Sequence, residues 1–231
     1  MGPAKQTLAS IQADFDRLAL LSGDNWNHNS YYHGYLIGQL PARCQHTLEI
    51  GCGTGQFSRL LAQRTEKVLA IDLSPQMIRR AQENSKRYPN IEFINGDVLT
   101  YHWPDNEFDC IATLTTIHHL PIDTILRKIS QSLKPGGIFL CLDLYQRSNL
   151  TDLLFDSVAY PASFFLRLIK TGRPRDSHAL RKAYAAHGKT DTYLTLPQIQ
   201  QLCAAILPGA LVRRHLFWRY SIIWQKGASA R

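Results

Sequence analysis

The stretch Glu49-Ile-Gly-Cys-Gly-Thr-Gly55 constrains this chain more than any other part of its 231 residues. It follows Thr47-Leu48 and precedes Gln56-Phe-Ser-Arg-Leu-Leu-Ala-Gln63, whose apolar spacing is helical, so the whole reads as strand, glycine turn, helix. Glycines at 51, 53 and 55 let the backbone turn sharply with no Cβ in the way and leave its peptide units open to a ligand. A dinucleotide fingerprint is excluded by spacing: G-x-G-x-x-G counted from Gly51 puts its third glycine at Gln56.

Downstream, buried-strand and helix patterns alternate. Lys67–Asp72 reads as a second strand, followed by Ser74-Pro75, an N-cap with proline at the first helical position. Ile91-Glu-Phe-Ile is a third strand ending at Gly96-Asp97, and Phe108–Leu114 a fourth. A helix is expected from Pro121 to Leu133, a turn at Lys134-Pro-Gly-Gly137, and a fifth strand from Ile138 to Leu144. Such alternation predicts a parallel sheet covered by helices on both faces, with ligands outside the carboxyl ends of its strands. Asp72, Asp97, Thr113-Leu114-Thr115, and Asp143 with Tyr145 all fall at those ends.

In motif order, L-E-I-G-C-G-T-G, A-I-D-L-S-P, N-G-D-V, F-D-C-I-A-T, I-H-H-L-P and L-K-P-G-G, the core from Thr47 to Leu144 resembles the class I S-adenosylmethionine (SAM)-dependent methyltransferases, in the broad branch that includes quinone-biosynthesis enzymes. The resemblance implies a Rossmann-like α/β fold, a mostly parallel seven-stranded sheet with an N-terminal helical lid. It implies one domain over 1–231: a lid at 1–45, a SAM-binding core at 46–144, an acceptor-lid insertion at 145–195, and a closing helix and β-hairpin at 196–231. An acid beside the turn suits SAM, which carries a sulfonium and an ammonium. The implied cofactor contacts are Tyr32, Glu49, Gly51, Cys52, Gly53, Gly55, Asp72, Leu73, Met77, Asp97, Val98, Thr113 and Leu114. In this reading Asp72 accepts the ribose hydroxyls, and Asp97 accepts from the adenine amino group beside the Val98 N–H.

The flanks are read for the methyl acceptor. Leu8, Ile11, Phe15, Leu18 and Leu21 predict an opening amphipathic helix, and a second short helix is expected from Tyr32 to Leu40. Between them Trp26-Asn-His-Asn-Ser-Tyr-Tyr-His33 is dense in aromatic and imidazole groups. Residues 152–169 form an apolar helix that Pro161 is expected to interrupt, followed by Lys170, Arg173 and Arg175. Tyr31, His118, Tyr145, Phe155, Tyr160, Phe164 and Phe165 are the expected acceptor contacts. Methyl transfer from a sulfonium needs alignment above all, and a base only for acceptors that must lose a proton. Four imidazoles are candidates, His28, His33, His118 and His119, of which at most one is expected to act.

The net charge of +8 is uneven: residues 1–163 carry 14 Lys+Arg against 16 Asp+Glu, whereas residues 164–231 carry 12 against Asp176 and Asp191 alone. The excess points to an anionic partner, surface or substrate at the C-terminal third. Five scattered cysteines without C-x-x-C spacing suggest neither a disulfide framework nor a metal site, and a reducing cytoplasm fits them. No membrane span or signal-peptide core is expected, since Asp14, Asp16 and Arg17 break the only early apolar stretch. The leading expectation is methyl transfer to an O, N or C atom of a small, largely apolar acceptor, aromatic or lipid-like, with an anionic one left open. Two alternatives stand beside it: an RNA methyltransferase using the basic third, and a SAM-binding protein that transfers nothing.

Overall fold

The computed structural model describes residues 7–21, 26–148, 150–173, 175–188 and 191–227, excepting the side chains at 150, 151, 153 and 154. In chain order the elements are α1 (Leu8–Leu21), a 3-10 turn at Ser30–Tyr32, α2 (His33–Ile37), β1 (His46–Ile50), α3 (Gln56–Leu61), β2 (Lys67–Asp72), α4 (Pro75–Asn84), β3 (Ile91–Asn95) and β4 (Phe108–Leu114). After a second 3-10 turn at Ile117–His119 come α5 (Ile122–Ser132), β5 (Leu133–Leu144), α6 (Leu150–Thr171), α7 (His178–His187), α8 (Leu196–Ile206), β6 (Leu211–His215) and β7 (Arg219–Gln225).

The strands form one seven-stranded sheet in the order β3-β2-β1-β4-β5-β7-β6, parallel except for β7, which runs antiparallel to β5 and to β6. Successive strand residues alternate between two apolar layers, as the pleat requires. Ile111, Phe139 and Cys141 join Leu48, Ile50 and Trp103 on the face covered by α5 and α8, whereas Cys110, Ala112, Leu140 and Leu142 join Phe57 and Leu61 on the other. The strand order reverses direction between β1 and β4, and the crevice above that switch point is where such sheets hold ligands.

Two elements depart from the sequence expectation, and the expected closing hairpin forms with an unusual turn. Helix α6 runs unbroken through Pro161; a proline removes one N–H donor, which bends a helix in a packed context more readily than it ends one. The expected Lys134–Gly137 turn is absorbed into β5 as a register shift: Phe108 pairs with Leu133 but Cys110 with Ile138. The β6–β7 hairpin turns at Phe217 and Trp218, both at positive φ (60° and 59°), where glycine or asparagine is usual. Phe217 is wholly buried there, and Tyr32 donates from its hydroxyl to the Leu216 carbonyl at 2.9 Å, so packing by the N-terminal segment holds a strained turn in place.

The three motif glycines have different tasks. A Cβ on Gly51 would stand 2.1 Å from Thr116 Oγ1, so this glycine admits the loop after β4. Gly53 has open space around it, whereas a Cβ on Gly55 would meet Phe93 at 3.1 Å and Ala81 at 3.2 Å, between α4 and the sheet. Gly55 also sits at φ +76°. Gly55→Ala is therefore predicted to destabilise the fold by about 1–3 kcal/mol through left-handed backbone strain. Urea denaturation measures it, and an unchanged midpoint would contradict the assignment.

Candidate functional site

A cavity of about 850 Å³ opens above the switch point, at the carboxyl ends of β1, β2 and β4. Its floor is the glycine turn, with Glu49, Gly51, Cys52 and Gly53 on its wall; Asp72 and Leu73 follow from the end of β2, Asp97 and Val98 from the loop after β3, and Leu114 from β4. Met77 enters from α4. Leu8, Ile11 and Phe15 of α1 form a roof, and Arg167, Lys170, Arg173 and Arg175 approach from the end of α6 and the turn beyond it.

Two carboxylates dominate the floor. Asp72 accepts from the Gly53 N–H at 2.8 Å with one oxygen and from the Ser74 N–H at 2.9 Å with the other, which fixes the glycine turn against the end of β2. Burial nevertheless raises its pKa to about 6. Glu49 is 2% exposed and accepts from Ser58 Oγ at 2.5 Å; burial, with Asp72 nearby, pushes it up to about 8. Each oxygen has a second lone pair, so capacity remains for a ligand. Two acids raised so far, Glu49 buried and Asp72 partly buried on the wall of one cavity, fit a cationic ligand, and SAM's ammonium and sulfonium are of that kind. Asp97 spends one oxygen on the Leu99 N–H at 2.9 Å, which fixes its loop and leaves the other free in direction.

Several expected contacts lie elsewhere. Gly55 packs behind the turn, Thr113 is wholly buried inside the sheet, and Tyr32 is tied to Leu216; none of these lines the cavity. Tyr145 and Tyr31 are also off its wall. Phe155, Tyr160, Phe164 and Phe165 lie on the outer side of α6, each between 39% and 59% exposed. Helix α6 thus turns its aromatic residues outward and presents basic ones to the cavity.

The four imidazoles separate clearly. His28 is outside the cavity, with Nε2 2.8 Å from Ser163 Oγ and its ring stacked on Phe217 at 4.9 Å; burial and the Arg219 and Arg167 charges lower it to about 4. His33 does line the cavity, beside Phe57, and burial lowers it to about 4. His118 is off the wall, its Nδ1 held 2.6 Å from the fully buried Asp143, whose charge and hydrogen bond raise the imidazole's pKa against the opposing effect of burial. His119 lines the cavity, but burial and two neighbouring imidazoles take it down to about 2.

Sequence reasoning missed Asn29. Its amide donates to Thr115 Oγ1 at 2.9 Å and accepts from Arg219 Nε at 2.9 Å, joining the N-terminal segment, the loop after β4 and β7 at the cavity's edge. It also missed α1's anchorage: Asp16 accepts from Ser74 Oγ at 2.5 Å, so the roof is bonded to the N-cap of α4. An asparagine in an aromatic-rich connection was the available signal. The partners are 86 and 190 positions away, and no local pattern reveals them.

Comparison with known proteins agrees with this geometry. Residues 47–137 match a family model described as a methyltransferase domain. An uncharacterised methyltransferase of Mycobacterium tuberculosis is 27% identical over 201 residues, covering 87% of this chain and 96% of that one. A demethylmenaquinone methyltransferase of Bacillus licheniformis is 31% identical over 103 residues, 43% of this chain and 44% of that one. Among solved structures, the N-methyltransferase NodS from Bradyrhizobium japonicum, in complex with S-adenosylhomocysteine, superposes with a TM-score of 0.64 at 16% identity, covering 93% of this chain and 97% of that one.

The two acids make affinity for a cation pH-dependent. Their folded pKa values, about 6 and about 8, stand above the usual carboxylate range of roughly 4, so the ligand-free fold gains stability below pH 4 and loses it as pH rises through 6 and 8. A cationic ligand favours the ionised forms. SAM affinity is therefore predicted to rise from pH 5.5 to 8.5 with proton release, read by calorimetry in two buffers of different ionisation enthalpy. A flat profile without proton release would remove these acids from the ligand's surroundings.

Proposed function

We propose that this chain, whose core matches a methyltransferase-domain model and which resembles a methyltransferase along most of its length, takes a methyl group from SAM and transfers it to a small acceptor with an apolar body and an anionic group. The observation that carries this reading is the composition of the cavity. One side is apolar, from Leu8, Ile11, Phe15 and Leu180, and the lid side offers Lys170, Arg173 and Arg175, with Arg167 paired to Asp176. A volume of about 850 Å³ lies in the range of small-molecule sites. The relative that is a demethylmenaquinone methyltransferase supports an aromatic acceptor ring. In this reading the chain is one catalytic domain, with 1–45 and 145–195 as lids over the 46–144 core.

When bound, SAM supplies an electrophilic methyl on a sulfonium. The protein's contribution is to hold and align. Asp72 and Asp97 would fix the nucleoside, Glu49 would face the cationic end, and Gly53 would let that end lie against the backbone. Roof and basic lid then exclude water and direct the acceptor along the displacement axis. His33 is the imidazole best placed for proton removal, because it lines the cavity and is neutral above pH 5. His118 is committed to Asp143 and His119 is too weak a base. The methyltransferase-domain match and the methyltransferase relatives favour an enzyme over the non-catalytic reading. The RNA alternative loses Arg214, which pairs with Asp152 at 3.1 Å and lies over the Tyr145 and Phe155 rings. Among the described residues no helix is long and apolar enough to cross a membrane.

Replacing Lys170 and Arg173 together by alanine is predicted to raise KM for an anionic acceptor by about 10- to 100-fold, the loss of a charge-assisted contact, with SAM affinity within twofold of the native value. Steady-state kinetics across hydroxybenzoate-like, catechol, amine and short RNA acceptors tests this; equal turnover of neutral and anionic acceptors would refute the anionic reading. His33→Ala is predicted to lower kcat by about 10²-fold for an acceptor that must lose a proton and to leave a thiolate acceptor's rate unchanged. Equal loss with both acceptors would mark His33 as structural.

A further inference from the structure

Behind the cavity wall, three imidazoles and a carboxylate converge from stretches far apart in sequence. His118 and His119 close the 3-10 turn after β4, His187 ends α7, and Asp191 lies between α7 and α8. The His118, His119 and Asp191 side chains are 7%, 7% and 2% exposed. Asp191 accepts from the Tyr193 hydroxyl at 2.8 Å with one oxygen. Its other oxygen is buried and has no hydrogen-bond partner among the described residues. That oxygen stands 3.7 Å from His119 Nδ1 and 3.7 Å from His187 Nε2, too far for a hydrogen bond and near enough to share a central atom.

We propose that His118, His119 and Asp191 form a binding site for a divalent transition-metal cation, with Zn²⁺ the species their chemistry suits best. One ligating atom from each of the three lies within 4.8 Å of the others. Two ligands at 2.0–2.1 Å from a tetrahedral ion are about 3.4 Å apart, so small side-chain movements bring this set into range. The donor set of two imidazoles and a carboxylate favours Zn²⁺ over Mg²⁺ or Ca²⁺, which take oxygen ligands. A histidine that ligates metal almost always gives its other ring nitrogen to a carboxylate, and His118 Nδ1 is 2.6 Å from Asp143 Oδ1. Asp143 also accepts from the His118 backbone N–H at 3.1 Å, so the ring's position is set from two directions.

Of the other charged neighbours, the Arg219 guanidinium opposes a cation beside His118, whereas Asp143 and Asp14 favour one. Asp14 of α1 is 3.3 Å from His187 Nδ1, and Phe15 packs edge-on against both His119 and His187. The ion would tie the loop after β4, whose His119 lines the cavity, to the segment that follows α7. It would therefore fasten the lid to the wall of the site. Cysteine counting gives no hint of such a site, because its ligands are imidazole and carboxylate.

The test uses the full chain, stripped with a chelator and titrated with Zn²⁺ by calorimetry, with Co²⁺ as a spectroscopic probe. The expected result is one equivalent of Zn²⁺ bound and a raised Tm, with Mg²⁺ giving neither. Asp191→Asn and His119→Gln should each weaken binding by 100-fold or more while the far-ultraviolet circular dichroism stays native; if one variant fails to fold, the other decides. Asp143→Asn, acting through His118, should weaken it by about 10- to 100-fold and shift the visible bands of bound Co²⁺. No stoichiometric binding by the native chain would overturn the proposal. So would affinity retained in the folded variants, or a Co²⁺ spectrum showing thiolate charge transfer. None of these readouts depends on methyl transfer.

Discussion

The rest of the site depends on three carboxylates at the carboxyl edge of one parallel sheet, Glu49 and Asp143 buried and Asp72 partly so. Glu49, Asp72 and Asp143 lie at the ends of adjacent or near-adjacent strands, and each is hydrogen-bonded by a different kind of donor. Asp72 is held by the backbone N–H groups of Gly53 and Ser74, Glu49 by the Ser58 hydroxyl, and Asp143 by His118. A buried carboxylate without compensation is expensive, so each acid specifies what must be packed beside it. Asp72 thereby sets the glycine turn, and Asp143 sets the imidazole loop. Glu49 and Asp72 together give the cavity floor its preference for a cation.

The roof and lid follow from the same need to keep that floor dry. Helix α1 is pinned through Asp16 to the N-cap of α4, while Leu18 and Ala19 pack on Met77. The N-terminal aromatic segment is pinned by Tyr32 and His28 to the strained turn between β6 and β7. The first contact ties the N-terminal helix to the core, and the second joins segments near the two ends of the chain. In the proposed reading, segments that exclude water from the cavity would lower its dielectric and strengthen the charge interactions there.

The outward face of α6 bears on the acceptor. Its aromatic residues suggest a hydrophobic pocket when the sequence is read alone, but the helix rotates them away and brings Arg167 and Lys170 to the cavity. A helix has two sides, and composition cannot say which one meets the core when both apolar and basic residues recur at helical spacing. The anionic preference proposed for the acceptor comes from that rotation.

The sequence by itself determined the sheet, its parallel sense and the location of the ligand crevice. Strand-period and helix-period patterns alternate over short distances, and Glu49–Gly55, Asp72 and Asp97 are fixed to strand ends by local chain geometry. Such features are legible because the interactions that impose them lie within a few residues. Tertiary structure alone decided which of His28, His33, His118 and His119 reaches the cavity, which side of α6 faces inward, that Gly51 makes room for Thr116 and Gly55 for Phe93, and that Asp191 meets His118 and His119 across more than seventy residues. Those outcomes rest on the packing of segments distant in the chain, where a side chain's partner is chosen by the shape of the whole fold and leaves no periodic trace in the sequence.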